Sequence, residues 1–124
     1  MPQPELPLGE LLHARAEACG EDLLDNCAEI TGEQTSRPLG IAFVLALRTL
    51  IGSGILPDGA IMVSHSATWM EEPPLGEQVT TDLMMSRAEG PRERYRRVVL
   101  SYVTRGGDGR VLIKQEQEVL WPTS

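Results

Sequence analysis

The stretch LGIAFVLALRTLI, Leu39 to Ile51, decides the architecture, because it runs from Ile41 to Leu47 without a polar residue and carries Arg48 as its one charge. A helix that is apolar on every face is stable only when protein surrounds it. The stretch is also well short of the roughly 20 apolar residues that a membrane span needs. The reading is a central helix wrapped by the rest of the chain, stopped by Gly52-Ser53-Gly54 and by the turn at Pro57-Asp58-Gly59.

Beyond the helix the chain is strand-like over Ala60 to Trp69, Gln78 to Arg87, Arg92 to Thr104 and Arg110 to Trp121. Glu72-Pro73-Pro74-Leu75-Gly76, Glu89-Gly90-Pro91 and Gly106-Gly107-Asp108-Gly109 separate these runs, and their turn chemistry predicts hairpin connections. Val98, Leu100 and Tyr102 fall on one face of the third run, and Val111, Ile113, Val119 and Trp121 on one face of the fourth. Such strands are half buried, in an antiparallel sheet with one side open to water. Upstream, Gly9 to Ala18 alternates enough for a first strand with Leu11, His13, Arg15 and Glu17 on one side. Gly20 breaks it, Glu21 to Ile30 has the spacing of a short amphipathic helix, and Thr31 to Pro38 reads as a loop. A buried helix laid on a long antiparallel sheet is an α+β layer arrangement.

A chain of 124 residues, 41% of them hydrophobic, holds one core, so residues 1–124 read as a single domain. Aromatic residues are only 4%, which leaves an aliphatic core of the kind that leans on a partner subunit. The net charge of -7 argues against nucleic acid or an anionic membrane as partner, since both demand a basic surface. Met1 to Leu8 carries three prolines and no basic segment leading into an apolar one, unlike a secretory signal, so a cytoplasmic location is expected. Cys19 and Cys27 have neither zinc-site nor CxxC spacing and read as reduced structural thiols. With no glycine-rich nucleotide loop and no metal-ligand cluster, no metal and no resident cofactor is expected.

The order of elements resembles the hotdog fold, a curved antiparallel sheet wrapped around a central apolar helix, over nearly the whole chain. Particular fragments resemble the MaoC-like (R)-enoyl-CoA hydratase/dehydratase family: Leu8-Gly9-Glu10-Leu11, Ala28-Glu29-Ile30-Thr31-Gly32-Glu33, Arg37-Pro38 followed by Leu39-Gly40-Ile41-Ala42, and Pro74-Leu75-Gly76-Glu77. Gly109-Arg110-Val111-Leu112, running to Leu120-Trp121-Pro122, is similar to its last strand. The resemblance implies an acyl thioester as ligand, with coenzyme A or an acyl-carrier protein as the carrier. In that family an Asp and a His hold the water that adds across an unsaturated thioester, which is general acid–base chemistry. Here Glu33 stands where the Asp would, in Gly32-Glu33-Gln34-Thr35-Ser36-Arg37, and the His is missing.

The resemblance also implies that the amino end of the central helix polarises the thioester carbonyl through free backbone N–H groups. Arg37, Leu39, Gly40, Ile41 and Ala42 are thus the candidate substrate-binding residues, although Gly40 can equally serve close helix packing. His65, in Val63-Ser64-His65-Ser66-Ala67, is a candidate catalytic base with Glu33, as in some hotdog thioesterases; the alternative is a hydrogen-bonded structural histidine. Arg92, Arg94 and Arg96 would line one strand face and could meet the phosphates of coenzyme A, or form a solvated face paired with nearby acids.

The sequence leaves three functions open. The first is a hydratase/dehydratase subunit acting on enoyl or 3-hydroxyacyl thioesters, with the acid–base dyad on a partner chain, in a homodimer or a hetero-oligomer with another hotdog subunit. The second is a thioesterase using Glu33 and His65. The third is a non-enzymatic acyl-thioester binding module.

Overall fold

The computed structural model describes residues 8–18, 38–71, 77–89 and 95–122. They form strand β1 (Leu11–Ala18), helix α1 (Pro38–Ser53) and strands β2 (Ile61–Trp69), β3 (Gln78–Ala88), β4 (Tyr95–Arg105) and β5 (Val111–Pro122). The expected helix over 21–30 and both cysteines lie outside the described residues.

Pro38 opens α1, a position where its missing N–H costs nothing and its fixed φ suits the first turn. Ala42, Val44, Leu45, Ala46 and Leu50 are buried, as an all-apolar helix requires. The last turn departs from that expectation, since Ile51 is 71% exposed. The lone charge, Arg48, is neutralised from β1: its Nη1 donates to Glu17 Oε1 at 3.0 Å, and Arg15 Nε donates to Glu17 Oε2 at 2.9 Å. The helix stops where Ser53 Oγ donates to the Leu50 carbonyl and Gly54 takes a φ of 67°, a left-handed conformation that suits glycine.

The five strands form one antiparallel sheet in the order β1-β3-β4-β5-β2. The β4–β5 connection is the expected hairpin, closed by a hydrogen bond from Gly106 N to the Arg110 carbonyl with Gly109 at φ 86°. β2 and β3, the strands on either side of 72–76, do not pair with each other, contrary to the hairpin expected from the sequence. β2 pairs with β5 at one edge of the sheet, while β3 pairs with β1 and β4 at the other side. Pro-rich turn chemistry marks a change of direction; it does not choose the neighbouring strand.

α1 touches both edge strands, β1 and β2, as well as β3 and β5, so the sheet curls around it. Two apolar clusters fill the space between. Ala42, Val44 and Leu45 pack with Val79, Leu112 and Ile113, and Ala46 and Leu50 pack with Leu83, Met85, Val98, Leu100, Tyr102 and Val119. The opposite face of the sheet carries ion pairs from Arg97 to Glu118 at 2.8 Å and from Arg105 to Asp82 at 3.6 Å. No helix among the described residues is long and apolar enough to cross a membrane.

Candidate functional site

On β5 the period-two pattern that buries Ile113 and Val119 also buries the two residues between them on that face, Gln115 and Gln117, each 2% exposed. Burying an amide is costly unless its hydrogen bonds are made. The antiparallel register supplies the partners. Gln117 stands opposite His65 of β2 and Leu100 of β4, and Gln115 opposite Ala67 and Tyr102.

The resulting hydrogen bonds form a chain with a definite direction. Burial pushes the Tyr102 phenol well above its ordinary pKa, so the hydroxyl keeps its proton. That hydroxyl donates to Gln117 Oε1 at 2.8 Å. Gln117 Nε2 then faces two acceptors, Met62 Sδ at 2.9 Å and His65 Nδ1 at 3.4 Å. With Nδ1 accepting, a neutral imidazole carries its proton on Nε2, which donates to Gln115 Oε1 at 2.8 Å. The Gln115 amide nitrogen ends the chain and has no partner among the described residues, and the indole nitrogen of Trp69 is likewise buried without one.

The helix closes over this row. Phe43 of α1 meets the His65 ring edge-on, with centroids 5.2 Å apart, and the Tyr102 ring lies 6.5 Å from the imidazole at a tilt of 40°. His65 therefore faces α1. Both its ring nitrogens engage glutamine amides rather than a carboxylate.

Several expected site residues cannot be joined to this arrangement, because Glu33, Arg37, Arg92 and Arg94 lie outside the described residues. Leu39, Gly40 and Ile41 occupy the first turn of α1, where backbone N–H groups have no acceptor within the helix. The Ala42 side chain belongs to the core. Arg96 directs its Nε to the Glu89 carbonyl at 3.1 Å, and Arg97 pairs with Glu118 on the opposite face. Among the described residues no cluster of three or more His, Cys, Asp or Glu could hold a metal ion.

The glutamines and the Trp69 N–H were not singled out from the sequence. A signal was present: in Lys114-Gln115-Glu116-Gln117-Glu118 the alternation that puts Ile113 and Val119 inside puts the amides inside and the charges outside.

The same fold recurs in solved structures. An unliganded R-hydratase from Pseudomonas aeruginosa superposes with a TM-score of 0.69 at 15% identity, over 97% of this chain and 84% of that one. This is the hotdog fold. A MaoC-like dehydratase from Rhodospirillum rubrum shares it with a TM-score of 0.67 at 15% identity, over 96% of this chain and 95% of that one. The HadBC complex of Mycobacterium tuberculosis, a 3R-hydroxyacyl-ACP dehydratase, gives a TM-score of 0.72 at 12% identity, over 91% and 96%. No family profile and no curated protein matches the sequence.

Proposed function

We propose that this chain is the catalytically degenerate subunit of a hydratase or dehydratase complex acting on enoyl or 3-hydroxyacyl thioesters. The observation that carries the reading is the state of His65. In a hotdog scaffold shared with hydratases and dehydratases, this imidazole is held between Gln115 and Gln117 instead of being paired with a carboxylate. A histidine so held is suited to organising a ligand pocket, and the acid–base pair falls to a partner chain.

The partner would add to β2. That strand ends the sheet, so its outer backbone N–H and C=O groups are unpaired among the described residues, and Ile61, Met62 and Val63 are each close to half exposed along it. An apolar open edge of this kind is a natural joint for a second sheet. The HadBC complex, built of two different subunits, is consistent with a hetero-oligomer. The amino end of α1, with Arg37, would receive the thioester carbonyl, with coenzyme A or an acyl-carrier protein as the carrier and Arg92, Arg94 and Arg96 on the side of its phosphates. The reading implies a cytoplasmic protein.

The test is to assay the purified chain, alone and mixed with a hotdog subunit encoded beside it, on enoyl-CoA thioesters of increasing length. Loss of enoyl absorbance and release of free thiol are followed together. Hydration in the mixture and none by the chain alone is expected. Thiol release by the chain alone would replace this reading with a thioesterase built on Glu33 and His65, and binding without turnover in any mixture would leave a binding module.

A further inference from the structure

The hydrogen-bond chain from Tyr102 to Gln115 leaves two donors unused among the described residues, and both belong to the helix-facing side of the β2–β5 pair. Trp69 stands opposite Ile113 and Ala67 opposite Gln115, so Trp69 and Gln115 are diagonal neighbours across the ladder. Between His65 and Trp69 on that face of β2 the only side chain is the methyl group of Ala67. Around them the surroundings are apolar: Ala67 and Trp69 pack against the cluster to which α1 contributes Ala42, Val44 and Leu45 and the sheet Val79, Leu112 and Ile113. These helix residues lie in its amino-terminal half, near the end proposed to receive the thioester carbonyl.

A buried N–H without an acceptor carries an uncompensated desolvation cost, and a protein that keeps two such nitrogens on one face gains whenever an acceptor arrives. Both donors are neutral. The nearby charges on β5, Lys114, Glu116 and Glu118, alternate onto the other face of the sheet, and the Arg48 guanidinium is already bound to Glu17. A carboxylate placed here would have no cation among the described residues to offset its desolvation. A carbonyl or hydroxyl oxygen would have donors to meet and no charge to bury.

We infer that Gln115 Nε2 and Trp69 Nε1 form a binding site for a neutral oxygen, a ketone or hydroxyl, carried on the apolar part of the ligand. Within the proposed function this names the substrate class as an oxygen-bearing acyl chain, and it rests on that reading only for the thioester carrier. Tyr102, Gln117 and His65 act as positioning residues, because their chain holds the Gln115 carbonyl oxygen and so leaves its amide nitrogen as the donor without a partner among the described residues.

The experiment is a titration of the full chain, isotope-labelled so that the Gln115 side-chain amide and the Trp69 indole N–H are each observed. Three probes are used: a medium-chain acyl-CoA with a ketone on its acyl chain, the same thioester without the ketone, and a free methyl ketone of matching length. Both signals should move with the two ketones and stay in place with the plain thioester. Gln115→Met should weaken binding of the keto-thioester about tenfold more than it weakens binding of the plain thioester, as the loss of one buried hydrogen bond implies. Should that variant fold poorly, Trp69→Phe removes the second donor and leaves the His65 chain intact, with the same selective loss expected. Equal binding of both thioesters with unmoved signals would overturn the inference and leave the thioester reading standing. Signals that move only with the free ketone would uphold the inference and overturn the thioester reading. Signals that move with neither ketone would overturn the inference.

Discussion

The rings of Phe43 of α1 and His65 of β2 meet edge to face, with an interplanar angle of 75°. This contact ties the helix to the edge strand that carries the candidate site. An edge-to-face aromatic pair contributes about 0.5–1.5 kcal/mol beyond the area it buries. Phe43→Leu is therefore expected to destabilise the fold by roughly that amount, measured by urea denaturation. An unchanged midpoint would show that the contact contributes nothing.

Tyr102→Phe removes a hydroxyl and almost no volume. Its effect should come from Gln117, whose Oε1 would lose the donor it now has at 2.8 Å in a buried setting. The expected cost is about 1–3 kcal/mol, the penalty for an unpaired buried polar group. Chemical denaturation measures it. A cost of a few tenths would mean that Gln117 finds another donor.

Val63→Lys places a charge on the open edge of β2 at a position 48% exposed in the single chain. Edge lysines block strand-to-strand addition. Sedimentation should show the variant as a folded monomer under conditions where the unaltered chain associates with itself or with its partner subunit. Association at undiminished strength would move the joint to another surface.

The Asp108 carboxyl accepts a hydrogen bond from the Arg110 backbone N–H at 3.1 Å, and this bond, with the Arg110 guanidinium beside it, lowers its pKa below the ordinary 3.8. A carboxyl lowered on folding adds stability above its ordinary value, and that contribution disappears as the pH falls through the lowered one. Asp108→Asn should be slightly less stable than the unaltered chain at neutral pH and equal to it in strong acid. Denaturation midpoints followed down the pH scale test this, and a difference that grew in acid would contradict it. Full exposure of the site keeps the effect small.

Much of the fold was legible in local pattern. The absence of a polar face from Ile41 to Leu47 predicts a buried helix, and α1 is buried except where Ile51 emerges in the last turn. Period-two alternation located all four later strands to within a few residues at each end. The hotdog architecture followed from combining these elements with the resemblance of short fragments. The site was less legible. His65 could be named as a candidate, yet its partners could not, since Gln115 and Gln117 sit about fifty residues further along and read as part of a charged stretch.

Sequence by itself determined which segments are apolar, which alternate and where the chain must turn, because those properties depend on neighbours a few residues apart. Tertiary structure alone decided that β2 crosses to the edge beside β5, which undid the hairpin expected at 72–76. Strand pairing decided the site as well. Only when β5 lies between β2 and β4 do Tyr102, Gln117, His65 and Gln115 come within hydrogen-bonding distance, leaving the last amide and the Trp69 indole as buried donors. Hydrogen bonds form between groups that are close in space, and closeness between residues fifty positions apart is set by register rather than by composition.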